Sequence, residues 1–293
     1  MTDFIDEIPA YSIESLRTVS TEEEARDFEF FRFEYFAKDI EHLKAPHRHS
    51  FYTFILVTGG GGSHDIDFTT YDLKPNRLFL IAPGQVHAWN QLINIKGFVV
   101  LFTDGFVALS KGRKLMSNWP LFRLDQPCFI DLSAAESENW QEELRFMEGE
   151  AKLQDTFSRD AIFYSIGTLL VRASRLYIGV APDENLNQDL LFVFQELIEK
   201  NYVTMRAPKD YAALLNITPN HLNAICKKKS GKSAGGLIRQ RVLLEAKRLL
   251  AHTKLSVAEI AYQLNFVDNS YFGRYFKKYL HITPERFRKQ FSG

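Results

Sequence analysis

Two sets of side chains in this 293-residue chain could do chemistry. The first is polar and basic. Asn220, His221, Asn223, Lys227 and Lys228 are followed about fifty residues later by Asn269, Ser270, Tyr271, Arg274, Lys277 and Lys278. Asn can pair bidentately with adenine and Arg with guanine in a major groove, whereas Lys and Ser suit phosphate oxygens. That makes Asn220, His221, Asn223, Lys227, Asn269, Tyr271 and Arg274 candidates for base edges, and Lys277, Lys278 and Ser270 candidates for phosphates. Lys228 extends the first group. The second set is His47, His49 and His87 with Trp89. Imidazole nitrogens can ligate a divalent metal, or, next to an indole, line the pocket of a small ligand.

Side chains that read bases must stand on helices. Ser256 and Glu259 form a capping box, so a helix starts there, with Val257, Ile260, Ala261 and Leu264 as its buried stripe. Asn265 then sits at a sharp turn, since Asn tolerates the left-handed conformation better than any residue but Gly. A second helix runs from about Asp268, burying Phe272 and Phe276 and leaving Asn269, Tyr271, Arg274, Lys277 and Lys278 outward. That pattern is helix, short turn, helix. The same grammar occurs upstream. Asp210 to Ile217 reads as a short helix and turn, and Thr218-Pro219 caps a helix with Leu222, Ile225 and Cys226 inside and Gly231 at its end. Between the two units, Ser233 to about Ala251 has apolar residues at helical spacing, a rod of roughly 28 Å. Successive major-groove faces lie roughly 34 Å apart, so one chain could read two of them. Thr283-Pro284 begins a closing helix.

The run Ser256-Val-Ala-Glu-Ile-Ala, Phe266 with Ser270-Tyr-Phe, Arg274-Tyr-Phe-Lys-Lys and Thr283-Pro284 resemble the DNA-binding domain of the AraC/XylS family of bacterial transcription regulators. The first unit departs from the family pattern, with Ala224 for a frequent Arg, Cys226 for a frequent Phe, and Asn265 in the second for a usual Gly. The resemblance implies a sequence-specific regulator, more often an activator, that binds double-stranded DNA. It also implies a sensor barrel ahead of the DNA-binding domain, an arm that can respond to effector, a homodimer and, for an activator, contact with RNA polymerase.

Charge points the same way. The whole chain is formally neutral, with 36 Lys plus Arg and 36 Asp plus Glu. Residues 188–293 carry 18 basic and 8 acidic side chains, and residues 1–187 carry 18 and 28. A basic half beside an acidic one means that the former is the half suited to phosphate.

In the acidic half, residues 1–27 read as an arm with at most a short helix. From Phe28, aromatic and β-branched runs at 28–36, 50–58, 64–71, 77–82 and 95–103 alternate with turn signals at Gly59-Gly-Gly-Gly62, Lys74-Pro75-Asn76 and Pro83-Gly84. Short strands at such spacing predict a small barrel or sandwich. Pro46-His47-Arg48-His49 and Pro83-Gly84-Gln85-Val86-His87 resemble the two halves of a cupin motif, but Thr53 and Phe54 stand where that motif has a Glu. The three histidines and Trp89 are therefore expected to line a ligand pocket, with no metal and no cofactor. From Ser133, a capping box with Glu136 opens a helix bearing Trp140, Leu144 and Met147, and a second from about Thr156 to Tyr177 bears Ile162, Phe163, Ile166, Leu169, Leu170 and Ala173. This wide face either packs on the barrel or, as the resemblance implies, dimerises.

The fold expected is thus α+β in two domains. An arm (1–27), a cupin-like β-barrel sensor (28–132) and a helical dimerisation segment (133–180) lead through a linker (181–187, with Pro182) to an all-α domain with two helix-turn-helix units (188–293). Cys128 and Cys226 fall in different halves and are expected as buried thiols rather than a disulfide. With no apolar run of membrane length and acidic residues at the N-terminus, the location expected is cytoplasmic. The function expected is DNA-binding regulation by a non-enzyme that senses a small molecule. The alternatives are a metal-dependent cupin enzyme fused to a DNA-binding domain, or a regulator whose barrel serves only protein contacts.

Overall fold

The computed structural model describes residues 7–16, 27–37, 43–108, 127–153, 155–178 and 190–291. The chain forms two compact units, one of residues 9–184 and the other chiefly of residues 185–293. The 181–187 linker lies outside the described residues.

The first unit is built on a sheet. Its elements are β1 (Ala10–Tyr11), a 3-10 turn at Glu14–Leu16, β2 (Phe28–Arg32), α1 (Phe33–Phe36), β3 (Arg48–His49), β4 (Tyr52–Ile66), β5 (Thr69–Leu73), β6 (Arg77–Ile81), β7 (His87–Phe102), α2 (Asp104–Ala108), β8 (Phe129–Asp131), α3 (Ala134–Leu153) and α4 (Ser158–Ile178). The strand order is β2-β7-β4-β6-β8, with β5 on β4. A parallel β1–β3 pair is tied in by the antiparallel bridge between His47 and His87. The expected sheet-rich domain is present. Among the described residues, its ladder is open at β2 and β8 rather than closed into a ring.

Three sequence-based expectations change. The Gly59–Gly62 run is not a turn between strands; it lies inside the single strand β4, where the β4–β7 ladder shifts register. Gly60 and Gly62 have φ of 78° and 137°, and a Cβ on Gly62 would overlap the Gln91 carbonyl. These glycines let β7 approach and bend the pair where a turn signal was expected. The 28–36 run is strand only to Arg32, because Phe33–Phe36 forms a helical turn. Likewise 64–71 is not one strand: the chain reverses at Asp67, whose φ is 54°, and β5 pairs back on β4.

Why β4, β6 and β7 read as continuous apolar runs is clear from their surroundings. Phe54, Leu56, Leu78, Leu80, Val100 and Phe102 face one core, shared with Trp140, Leu144, Met147, Ile166 and Leu170 of α3 and α4. Their neighbours Ile55, Val57, Phe79, Ile81, Val99 and Leu101 face a second core inside the sheet. Strands covered on both faces have no polar alternation to show. The wide face of the two helices therefore packs on the sheet. The Ser133–Glu136 capping box starts α3 as read, with Ser133 N–H donating to Glu136 Oε2 at 2.7 Å and Glu136 N–H to Ser133 Oγ at 3.2 Å.

The second unit is helical: α5 (Leu190–Asn201), α6 (Pro208–Leu214), α7 (Pro219–Ser230), α8 (Ala234–His252), α9 (Val257–Gln263), α10 (Asn269–Leu280) and α11 (Pro284–Arg288). One core joins α5, α6, α7 and the start of α8; another joins the rest of α8 to α9 and α10. Tyr202 packs against both. Because α8 is buried nearly all round, its buried charged residues are paired: Arg241 donates to Glu199 at 2.6 Å and to Glu245 at 3.1 Å, and Arg248 to Glu245 at 3.3 Å. The neighbouring carboxylates hold the Arg241 pKa above its ordinary value against the opposing effect of burial.

Candidate functional site

The two turns of the helical unit are built alike. Asn216 and Asn265 have φ of 54° and 56°. Asn216 N–H donates to Ala213 O and Ile217 N–H to Ala212 O; Asn265 N–H donates to Tyr262 O and Phe266 N–H to Ala261 O, all within 2.8–3.1 Å. Each following helix then has a side-chain cap: Thr218 Oγ1 accepts from His221 N–H at 3.2 Å, and Asp268 Oδ1 from Tyr271 N–H at 2.6 Å. The capping box of Ser256 and Glu259 is formed on α9. On α7, Leu222 and Cys226 are buried, and Asn220, His221, Lys227 and Lys228 are exposed. On α10, Phe272 and Phe276 are buried, and Asn269, Ser270, Tyr271, Arg274, Lys277 and Lys278 are exposed. Asn223 differs from the expected outward set. It is half-buried, and its Oδ1 accepts from Ala234 N–H at 3.2 Å, which commits it to the start of α8.

Sequence reading overlooked Arg206, in the segment between α5 and α6. Its guanidinium lies 3.7 Å from the centre of the Phe266 ring and donates to Leu264 O, so a residue just ahead of the first helix-turn-helix unit holds the turn of the second. A lone Arg in a loop carries no periodic signal that would reveal such a reach.

In the sheet unit, His47, His49, His87 and Trp89 come together around a small cavity with Thr53. The His47 and His87 ring centres are 4.2 Å apart, and those of His49 and His87 are 4.8 Å apart. A fourth histidine joins them: His64 Nε2 is 2.9 Å from His87 Nδ1, and its ring stacks on Trp89 at 3.8 Å. His64 belongs to no motif shared with the others. Alternation along β4 would have suggested it, but the register shift at Ser63/His64 breaks that count. Burial, with His47 close by, lowers the His49 pKa to about 3 and holds those of His64 and His87 well below the ordinary value. These imidazoles are neutral at pH 7.

Two family models match the chain. One, described as an AraC-like ligand binding domain, covers residues 33–108, the stretch that carries the histidine cluster. The other, a helix-turn-helix domain, covers residues 211–290 and so both turn-and-cap units. The chain belongs to the AraC family of transcription regulators. Among AraC-family relatives, the transcriptional activator RhaS of Escherichia coli is 25% identical over 263 residues, covering 84% of this chain and 88% of that one. The activator RhaR of Cronobacter sakazakii is 22% identical over 263 residues, covering 86% and 89%. The solved structure of ToxT from Vibrio cholerae aligns at 12% identity over 92% of this chain and 100% of that one, with a TM-score of 0.41.

The AraC-family chain has a donor set at its histidine cluster that does not suit a metal centre as it stands. Among the described residues, no group of three or more His, Cys, Asp or Glu could hold a metal ion. Thr53, in place of a carboxylate, has its Oγ1 3.4 Å from His49 Nε2. Cys128 and Cys226 are free and buried, and burial pushes both thiols up to about 11, which makes them poor nucleophiles. No helix among the described residues is long and apolar enough to cross a membrane.

Proposed function

We propose that this chain is a non-enzymatic, cytoplasmic transcription activator that reads two successive major grooves and is governed by a small molecule held in its N-terminal unit. The observation that carries this reading is the repeated turn-and-cap unit. Two copies with the same hydrogen-bond pattern share α8, and each presents an exposed polar and basic helix face. Asn220, His221 and Lys227 on α7, and Asn269, Tyr271 and Arg274 on α10, read base edges. Lys228, Ser270, Lys277 and Lys278 hold phosphates. Asn223, bonded to Ala234, sets the angle between α7 and α8 rather than touching DNA.

In this reading, residues 28–132 form the sensor, with His47, His49, His87 and Trp89 on the ligand, and residues 181–187 link it to the reader at 188–293. Activation, the role named for RhaS and RhaR, requires contact with RNA polymerase. Residues 133–180 serve the homodimer through the face that the sheet leaves uncovered. Phe157, just before α4, and Tyr164 and Val171 on it are exposed at seven-residue intervals, a seam suited to a second copy.

Selection of bound DNA with the full-length protein across a salt series tests the reading. It calls for a bipartite site with elements about one helical turn apart, and affinity falling with salt at a slope of about −0.9 per phosphate contact. No enriched sequence with or without candidate effectors would refute it.

A further inference from the structure

We infer that the two recognition helices read their grooves unequally: Arg274 on α10 selects a guanine, whereas Ala224, at the equivalent place on α7, leaves its base pair unread. This rests on the two-groove reading above and adds which part of the operator carries no information. Ala224 is exposed midway along α7 and has no role in that reading.

The two helices match position by position at an offset of fifty residues. Each has 12 residues, one starting at Pro219 behind the cap Thr218 and the other at Asn269 behind the cap Asp268. Each ends on a left-handed residue, Gly231 at φ 70° and His281 at φ 60°, whose N–H donates to the carbonyl of Lys227 or Lys277. The helix that follows is capped by Ser233 in one unit and by Thr283 in the other. From His221 to Lys228 and from Tyr271 to Lys278, exposed, half-buried and buried positions follow in the same order. One difference inside this match has a physical cause. Asn223 Oδ1 accepts from Ala234 N–H at 3.2 Å. The equivalent pair is Gly273 and Pro284, and a proline nitrogen has no proton to donate, so no acceptor is needed there.

The match puts Ala224 where Arg274 stands, on the face that meets the groove. Lys228 and Lys278 coincide as well, so their phosphate contacts seat both helices at one depth. At that depth the planar fork of Arg274 spans O6 and N7 of a guanine. The Ala224 side chain ends at Cβ, carries neither donor nor acceptor, and stops well short of the place that the fork occupies. Water fills the gap whichever base pair lies opposite, and the site pays no penalty for a change of base.

Selection of bound DNA by the unsubstituted full-length protein is compared with selection by Arg274→Ala, Ala224→Arg and Ala224→Gln. Arg274→Ala should erase a guanine preference of about tenfold at one base pair, which marks the α10 element. In the unsubstituted protein the corresponding base pair of the other element, about one helical turn away, should vary by less than about fivefold among the four bases, the lower end for a pair that is read. Ala224→Arg should create a guanine preference of about tenfold at that pair, and Ala224→Gln an adenine preference. Arg and Gln both suit an exposed helical position, so melting temperatures should not fall. A preference above about fivefold at that pair in the unsubstituted protein would overturn the inference. So would variants at 224 that add no preference, an Ala224→Arg protein that binds all sequences more tightly alike, as a phosphate contact does, or an enriched site that Arg274→Ala leaves unchanged. An unsubstituted protein that enriches no sequence would instead refute the two-groove reading itself.

Discussion

Replacing Arg206 by Ala removes the contact through which the segment leading into the first helix-turn-helix unit holds the second. The guanidinium stacks on Phe266 at 3.7 Å and donates to the carbonyl of Leu264, the residue that closes α9. A half-buried cation–π contact is worth about 1 kcal/mol. A charged donor on a helix-terminal carbonyl adds about 1.5 kcal/mol at the low end of its range, which is the appropriate end because water can replace part of it. The expected loss is about 2.5 kcal/mol, a fall in the midpoint of the helical unit on the order of 10–20 °C. Arg206→Lys keeps the charge but not the planar stack, so it should recover about half. Calorimetry of the full-length protein, with the helical unit's transition assigned by its response to operator DNA, measures this. A second readout is spacing: with the two units less firmly joined, operators lengthened or shortened by one base pair should lose their penalty. A change under about 0.5 kcal/mol together with unaltered spacing preference would refute the role given to Arg206.

The histidine cluster predicts acid sensitivity in the N-terminal unit. The folded state keeps His49, His64 and His87 neutral, with His49 at about 3, while the unfolded chain binds protons at about 6.5. Their contribution is therefore complete above the unfolded value and is lost as pH falls. For three such groups the loss between pH 6.5 and 5.5 is about 3 kcal/mol, and denaturant titrations that show a flat profile there would contradict it. Two glycines should respond in opposite directions to Ala. Gly62→Ala meets the Gln91 carbonyl at a φ of 137° and should cost at least about 2 kcal/mol. Gly149→Ala, in open space on α3, should stabilise by roughly 0.5–1 kcal/mol, and equal effects in thermal melts would disprove the local argument. Tyr164→Glu, at a side chain 70% exposed, should convert a dimer to monomer in sedimentation without lowering the melting temperature; an unchanged dimer would place the interface elsewhere.

The helical unit was legible because its signals are local. Ser256 with Glu259, Thr218 with Pro219, and Asn265 in the left-handed turn each act within a few residues, and each is found doing what its chemistry implies. What spans the unit was not legible, as Arg206 and the inward turn of Asn223 illustrate. The sheet was read less well for the same reason. Four glycines in a row signal a turn to any local rule, and only the approach of β7 turns them into a bent strand. His47, His49 and His87 stood out by motif, whereas His64 reaches them through a ladder whose register no local count provides.

The outward side chains of α7 and α10 have one further property. Leu222, Cys226, Phe272 and Phe276 carry the packing of those helices, and Asn220, His221, Lys227, Asn269 and Arg274 carry none of it. In β6, by contrast, every residue is buried. Inheritance can therefore act on the two halves of the molecule differently. A lineage can drift from one operator to another by single substitutions on α7 and α10 that leave the fold intact, while the same rate of change in the sheet would unfold the sensor. New regulatory circuits can then arise by rewriting the address and keeping the receiver.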